Sequence, residues 1–334
     1  MGTLSVWKKL RHSVEASLLR LAVFLIPRLS RRALMALART LGTLAWMFDF
    51  RGRATAMENL RVVFGDTLTS SGRRRIARKS YEHFARTMLD QFWSRRLTAD
   101  NFLDYCTFEL EDEASLEAAR ESGAIWVTPH YSNFEWIAFI MGFRGYHFTV
   151  VAQDFKNPQI TPIFTANRQG SGHQVIPQQG AMLRLLKNLK VGGHAAFLTD
   201  LNVKPSKTAA VIRCFGRKTC VTTLHSQLMR RTRLPVIPGL CIPKDDGTYR
   251  MLGFHPIQLP PDATDAEIAQ ACWDVFEAKL REEPAPWLWM YKHWRYLPEE
   301  GDPAHGPVTV SYPSYAQASK AFRKLDASQT KVER

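Results

Sequence analysis

From about residue 115 onward, short apolar runs alternate with segments of helical spacing, a pattern that confines the chain to an α/β sheet architecture. The runs fall at 124–128, 148–152, 195–199, 209–215, 235–241 and 250–254. Segments of helical pattern at 133–142, 158–169, 180–189, 222–232 and 265–283 separate them. The expected fold class is therefore α/β, a central sheet flanked by helices. At 334 residues the chain is long enough to bury a full core of that kind.

Charge is distributed unevenly along the chain. Residues 1–100 carry 19 Lys/Arg against 7 Asp/Glu, whereas residues 101–334 carry 26 against 24. The net charge of +14 thus sits almost wholly in the first third. The same third holds the apolar runs 18–26 and 33–48, and cations mixed with apolar stripes fit a membrane surface better than nucleic acid. Arg20, Arg28, Arg32 and Arg39 interrupt these runs and Pro27 separates them, so neither reads as a membrane span. No small-x-small site follows to mark a cleaved leader.

At 100° per residue, Leu34, Leu37, Leu41, Leu44 and Phe48 fall on one face, with Arg32 and Arg39 opposite. Residues 1–50 are accordingly expected to form basic amphipathic docking helices that lie on the membrane. Packing of the same stripe on the protein's own core is the alternative. A helix is expected over 71–93, capped by Ser70 or Ser71 and carrying Arg73, Arg74, Arg75, Arg78 and Lys79 in its first turns. Cations there oppose the helix dipole. Residues 51–298 are expected to form the α/β domain, and 299–334, which lack apolar periodicity, a flexible tail. The five cysteines are scattered without a C-x-x-C, which indicates buried thiols and no disulfide framework or zinc site.

The most informative segment runs from Ala124 to Trp136. An apolar strand enters Pro129 and His130, and Ser132 or Asn133 then caps an apolar helix. His130 is thus placed at the carboxyl end of a strand, where α/β sheets put ligand sites. The turn lets Glu135, in the first helical turn, fold back toward the imidazole as a base-and-orienter pair. A histidine held by a carboxylate is suited to taking a proton from a hydroxyl. A hydrogen-bonded structural histidine is the alternative. Arg168 and Lys156 follow the second strand, where cations suit a phosphate or an oxyanion. Asp200 ends the run 195–199 and is placed to order a neighbouring loop or cation. His173 and His225 read as structural, and Trp287, Trp289 and Trp294 as core and interface aromatics.

Over most of residues 15–297 the chain resembles the lysophospholipid-acyltransferase-like superfamily, and within it the late lipid A acyltransferases, the lauroyl and myristoyl transferases of Gram-negative bacteria. Thr128 to Glu135 is similar to that family's H-x4-D/E block, and Phe155-Lys156-Asn157-Pro158 with Arg168 and Gly172 to its second block. Asp200, Phe215-Gly216 and Leu234 to Pro238 resemble the third and fourth blocks. Glu283 to Trp289 is like the family's closing segment, a proline followed by W-x-W, with Pro284, Trp287 and Trp289 in those places. The chain departs from the branch at Gln153, at Asp200-Leu201 and at Cys214-Phe215-Gly216.

The resemblance implies a mixed central sheet of the glycerol-phosphate-acyltransferase type and an O-acyltransferase acting in lipopolysaccharide biosynthesis. His130 and Glu135 would be catalytic, and Lys156, Arg168 and Asp200 would bind substrate. Acyl carrier protein or coenzyme A would carry the acyl thioester, a lipid would accept it, and neither metal nor other cofactor would take part. The implied location is the cytoplasmic face of the bacterial inner membrane, held peripherally. Alternatives are another glycolipid, phospholipid or amino-acid lipid acceptor, or a catalytically silent membrane-binding homologue.

Overall fold

A computed structural model describes residues 6–152, 155–296 and 319–330. Helices α1 (Val6–Leu25), α2 (Arg31–Phe48), α3 (Phe50–Phe64) and α4 (Ser70–Trp93) come first. Strands and helices then alternate through β1 (Cys106–Leu110), α5 (Glu113–Ser122), β2 (Ala124–Thr128), α6 (Phe134–Phe143) and β3 (Phe148–Ala152). The alternation continues with α7 (Thr161–Gln169), β4 (Gln174–Pro177), α8 (Ala181–Lys190) and β5 (His194–Leu198). After β6 (Ala209–Cys214) and β7 (Arg217–Thr222) come α9 (Leu224–Thr232), β8 (Val236–Pro243), β9 (Tyr249–Gly253), α10 (Asp265–Glu282) and α11 (Ser319–Thr330).

Seven strands form one sheet in the order β1-β9-β8-β2-β5-β3-β4. The five strands from β8 to β4 run parallel, while β9 pairs antiparallel with β8 and parallel with β1. The class is α/β with a mixed sheet flanked by helices. β2 lies inside the sheet with its first four residues buried, which is why it reads as an unbroken apolar run. The run at 209–215 is a correction, because β6 leaves the central sheet and pairs with β7 in a separate antiparallel ribbon. Phe215 (φ 50°) and Gly216 (φ 77°) both take positive φ, the geometry of a two-residue hairpin turn. Glu277 fixes the turn by accepting the Phe215 N–H at 2.6 Å.

The N-terminal helices divide the expected stripe. α2 packs on α4 so closely that a Cβ at Gly42 would lie 2.4 Å from the Glu82 Cα. Leu34 is fully buried there, whereas Leu41, Leu44 and Phe48 are exposed. The face formed by Leu34, Ala38 and Gly42 therefore packs on the protein's own core, while Leu41, Leu44 and Phe48 face solvent. α4 begins at a Thr69 cap, whose Oγ1 accepts from the Gly72 N–H at 3.2 Å, in place of Ser70 or Ser71. Arg73 uses its charge on the carbonyls of Gly65 and Leu68, at 2.8 and 2.6 Å, which offsets its unfavourable place at the helix start.

Asp90 on α4 is completely buried and joins several elements. It pairs with Arg31 of α2, accepts from Tyr249 of β9, and takes the Asn133 amide at 3.2 Å. Asn133 in turn caps α6, accepting the Trp136 N–H at 3.2 Å. The N-terminal layer thereby fixes the turn that carries His130. The expectation of a flexible tail over 299–334 needs correction in part. α11 lies on the ribbon, with Phe322 fully buried beside Ala209 and Cys220, and Lys218 paired with Asp326 at 2.6 Å. The rest of that segment lies outside the described residues.

Candidate active site

His130 sits two residues beyond the end of β2, in a turn that α6 closes. The turn is strained at Ser132 (φ 48°), and contacts from the closing segment hold it. Ser132 N–H donates to the Pro286 carbonyl at 2.8 Å, and Tyr131 Oη donates to the Glu283 carbonyl at 2.9 Å. The segment that follows α10 thus clamps the turn from the far side of the chain.

The carboxylate that meets the imidazole is Asp200, just past the end of β5. Its Oδ1 lies 2.7 Å from His130 Nδ1, and its Oδ2 accepts the His130 backbone N–H at 2.9 Å. β2 and β5 are hydrogen-bonded neighbours, and Thr128 pairs with Leu198, so both residues leave the sheet at the same edge. The indole Nε1–H of Trp287 donates to the same Oδ2 at 2.8 Å. His293 stacks on that indole at 3.8 Å between ring centroids.

Asp200 is fully buried, which alone would raise its pKa. The His130 imidazole and the hydrogen bonds from His130 and Trp287 outweigh burial and hold it below the ordinary carboxylate range. An ionised carboxylate only accepts hydrogen bonds, so Nδ1 carries a proton, and in the neutral tautomer Nε2 keeps its lone pair. Burial pushes His293 down to about 4, so it stays neutral on the Trp287 face at physiological pH.

The sequence pattern paired His130 with Glu135, and the geometry differs. Glu135 is taken by Arg168 of α7 in a two-pronged ion pair, Nε to Oε2 at 3.1 Å and Nη2 to Oε1 at 2.6 Å. Among the described residues no hydrogen bond joins Glu135 to His130. Arg168 keeps its charge, because Glu135 compensates for its burial. Lys156 is exposed and lines no part of the cavity below, whereas its neighbour Asn157 is buried and donates to the His12 carbonyl and to Glu15 at 2.9 and 3.0 Å. That motif thereby fastens α1 to the loop before α7.

His130, Glu135 and Arg168 all line one cavity of about 530 Å³, whose remaining walls are chiefly apolar, among them Trp126, Phe148 and Leu116. Phe134 packs edge-on against the His130 ring at 4.9 Å. A basic nitrogen therefore stands at the edge of an apolar cavity of ligand size. The five cysteines are free and buried, and burial raises each thiol above its ordinary pKa, which keeps it unreactive. His173 accepts the Phe148 N–H at 3.0 Å and is pushed down to about 4 by burial, while lining the cavity. Among the described residues no group of three or more His, Cys, Asp or Glu is arranged to hold a metal ion.

Trp287 is the participant that sequence reasoning gave to the core and interface. It is buried, yet its N–H serves the Asp200 carboxylate. The signal was its place in the closing segment, which lies nearly ninety residues from its partner.

A family description of bacterial lipid A biosynthesis acyltransferases matches residues 6–296. No curated protein matches the chain at a significant level. The chain belongs to the bacterial lipid A biosynthesis acyltransferase family.

Proposed function

With that membership as the premise, we propose that the protein moves a fatty acyl group from a thioester to a hydroxyl of a lipid A precursor, with His130 as general base. The observation that carries this reading is an imidazole fixed by Asp200 beside an apolar cavity. His130 Nε2 takes the proton of the acceptor hydroxyl, and the oxygen attacks the thioester carbonyl. The tetrahedral intermediate then collapses, the C–S bond breaks, and the thiolate leaves with the proton returned by the imidazolium. Asp200 stabilises the cation formed between these steps and holds its tautomer. Arg168 spends Nε and Nη2 on Glu135 and keeps Nη1 for a phosphate or for the developing oxyanion. Acyl carrier protein or coenzyme A supplies the thioester.

Peripheral docking on the cytoplasmic face of the inner membrane completes the reading. On α1, Trp7, Leu10, Val14, Leu18, Leu21 and Leu25 are all exposed at spacings of three and four, while His12 and Ala16 on the opposite face are buried. Lys9, Arg11 and Arg20 flank the exposed stripe. Such a helix lies in an anionic interface, its apolar side among the acyl chains. Among the described residues no helix is long and apolar enough to cross a membrane.

The test is lipid mass spectrometry of a deletion strain complemented with the parent gene or with His130→Ala. The expected result is lipid A lacking one acyl group, restored by the parent and not by the variant. Unchanged lipid A, with a change in some other acylated lipid, would favour a different acceptor. No lipid change at all would favour a membrane-binding homologue without activity.

A further inference from the structure

The cavity beside His130 extends across the face of the sheet toward its β1 edge, since Thr128, Gly239, Gly253 and Leu110 all line it. Strand register places these four residues in one row. Val127 pairs with Pro238, so the next residues, Thr128 and Gly239, stand level. Gly239 pairs with Gly253, and Gly253 with Leu110. Partners in register point to the same face of a sheet, so the row faces α5 and α6, whose Leu116, Ala138 and Met141 supply the roof.

The two glycines leave this row without side chains over two adjacent strands. Neither has a positive φ, so neither is required by the backbone. Gly253 ends β9, but Gly239 lies inside β8, and glycine in a strand interior weakens the strand and often marks a place where a ligand comes close. Among the described residues, chain neighbours aside, nothing fills the space over Gly239 except the Leu252 carbonyl oxygen, 3.3 Å from where a Cβ would stand. At the far end Leu110 leans over Gly253, its Cδ2 lying 2.8 Å from where a Cβ would stand.

We propose that the Gly239–Gly253 row floors a slot for a straight acyl chain and that Leu110 closes it, so that these residues set the chain length the protein accepts. The inference rests on the reading of this cavity as the acyl site and adds what limits it. From Thr128 to Gly253 is two interstrand spacings, about 10 Å. A tetrahedral carbon chain advances about 1.25 Å per bond, so about eight bonds fill the slot. Removing the Leu110 side chain opens one further spacing, about 4.8 Å or up to about four carbons.

The test uses the purified full-length chain and a fluorescent fatty acid displaced by straight-chain saturated fatty acids from hexanoate to stearate. Affinity should rise about fourfold for each methylene that enters the cavity and then stop rising once the slot is full. Leu110→Ala should move that break to chains about two to four carbons longer, and Gly239→Val should move it to shorter ones. To keep a misfolded variant from deciding the outcome, the two opposite shifts are read separately on protein with parent-like circular dichroism. A break that stays in place in a folded variant, with the gain per methylene retained, overturns the inference and leaves the acyl-site reading intact. No dependence on chain length in the parent overturns the reading of the cavity itself, and the inference with it.

Discussion

Asp200 grips His130 at two points, its Oδ1 at the ring nitrogen Nδ1 and its Oδ2 at the backbone N–H of the same residue. One carboxylate therefore fixes the turn, the ring orientation and the tautomer together. Trp287 adds a second donor to Oδ2, which leaves Oδ1 to the imidazole. The arrangement is complete without Glu135, whose charge is spent on Arg168. The two acidic residues thus belong to separate tasks.

That separation has a kinetic consequence. Asp200→Asn should lower kcat by about two to four orders of magnitude, because an amide can present the wrong partner to Nδ1 and cannot balance an imidazolium. Glu135→Gln should instead free Arg168 and act mainly on substrate KM. Steady-state kinetics of both variants check this, and a larger kcat loss for Glu135→Gln than for Asp200→Asn would reverse the assignment.

Trp287→Phe keeps an aromatic ring against His293 and removes the N–H that Asp200 accepts, together with part of the buried indole. A hydrogen bond to a charged group is typically worth about 1.5–3 kcal/mol, so kcat should fall roughly tenfold to a hundredfold with KM little changed. The readout is kcat and KM on protein whose thermal midpoint is recorded alongside. A variant with parental kcat would show that the indole serves packing alone.

Much of this fold was legible in the sequence because its central strands are buried on both faces and read as unbroken apolar runs, as in 124–128. The edge strands were not. β4 has four residues with one buried, and β1 alternates between covered and open positions, so neither leaves an apolar run to read. At the site, the turn holding His130 and the Asn133 cap followed from local pattern. The choice of Asp200 over Glu135 did not, because pairing across β2 and β5 brings together residues seventy apart while local spacing favours the nearer carboxylate. On α2, periodicity alone does not reveal that Leu34 faces α4 and the core while Leu41, Leu44 and Phe48 stay exposed.

Buried neutral histidines should make stability depend on pH. His173, His225 and His293 are each pushed down to about 4 by burial, against about 6.5 in an unfolded chain. Between those values the unfolded state binds protons that the native state refuses, so stability is fully present above about pH 6.5 and is lost as pH falls toward 4. Unfolding free energies from denaturant titrations across this window should fall steadily, by up to about 1.4 kcal/mol per pH unit for each histidine. A flat profile would show that these rings take up protons in the native state.

Docking through α1 predicts a specific loss. Val14→Asp with Leu18→Asp places two charges on the exposed stripe and should abolish binding to vesicles containing phosphatidylglycerol without lowering the thermal midpoint. High salt should release only part of the parent protein, since apolar burial persists when charge is screened. Co-sedimentation measures both, and complete release by salt would contradict an apolar contribution.

The most direct test of the central claim is the turnover of His130→Ala, measured with an acyl thioester and a lipid A precursor on protein shown to be folded and still bound to vesicles. As the general base, His130 should account for about two to four orders of magnitude in kcat, and Asp200→Asn added to His130→Ala should cost little more, because the two act as one unit. A folded His130→Ala protein with near-parental acyl transfer would contradict the account.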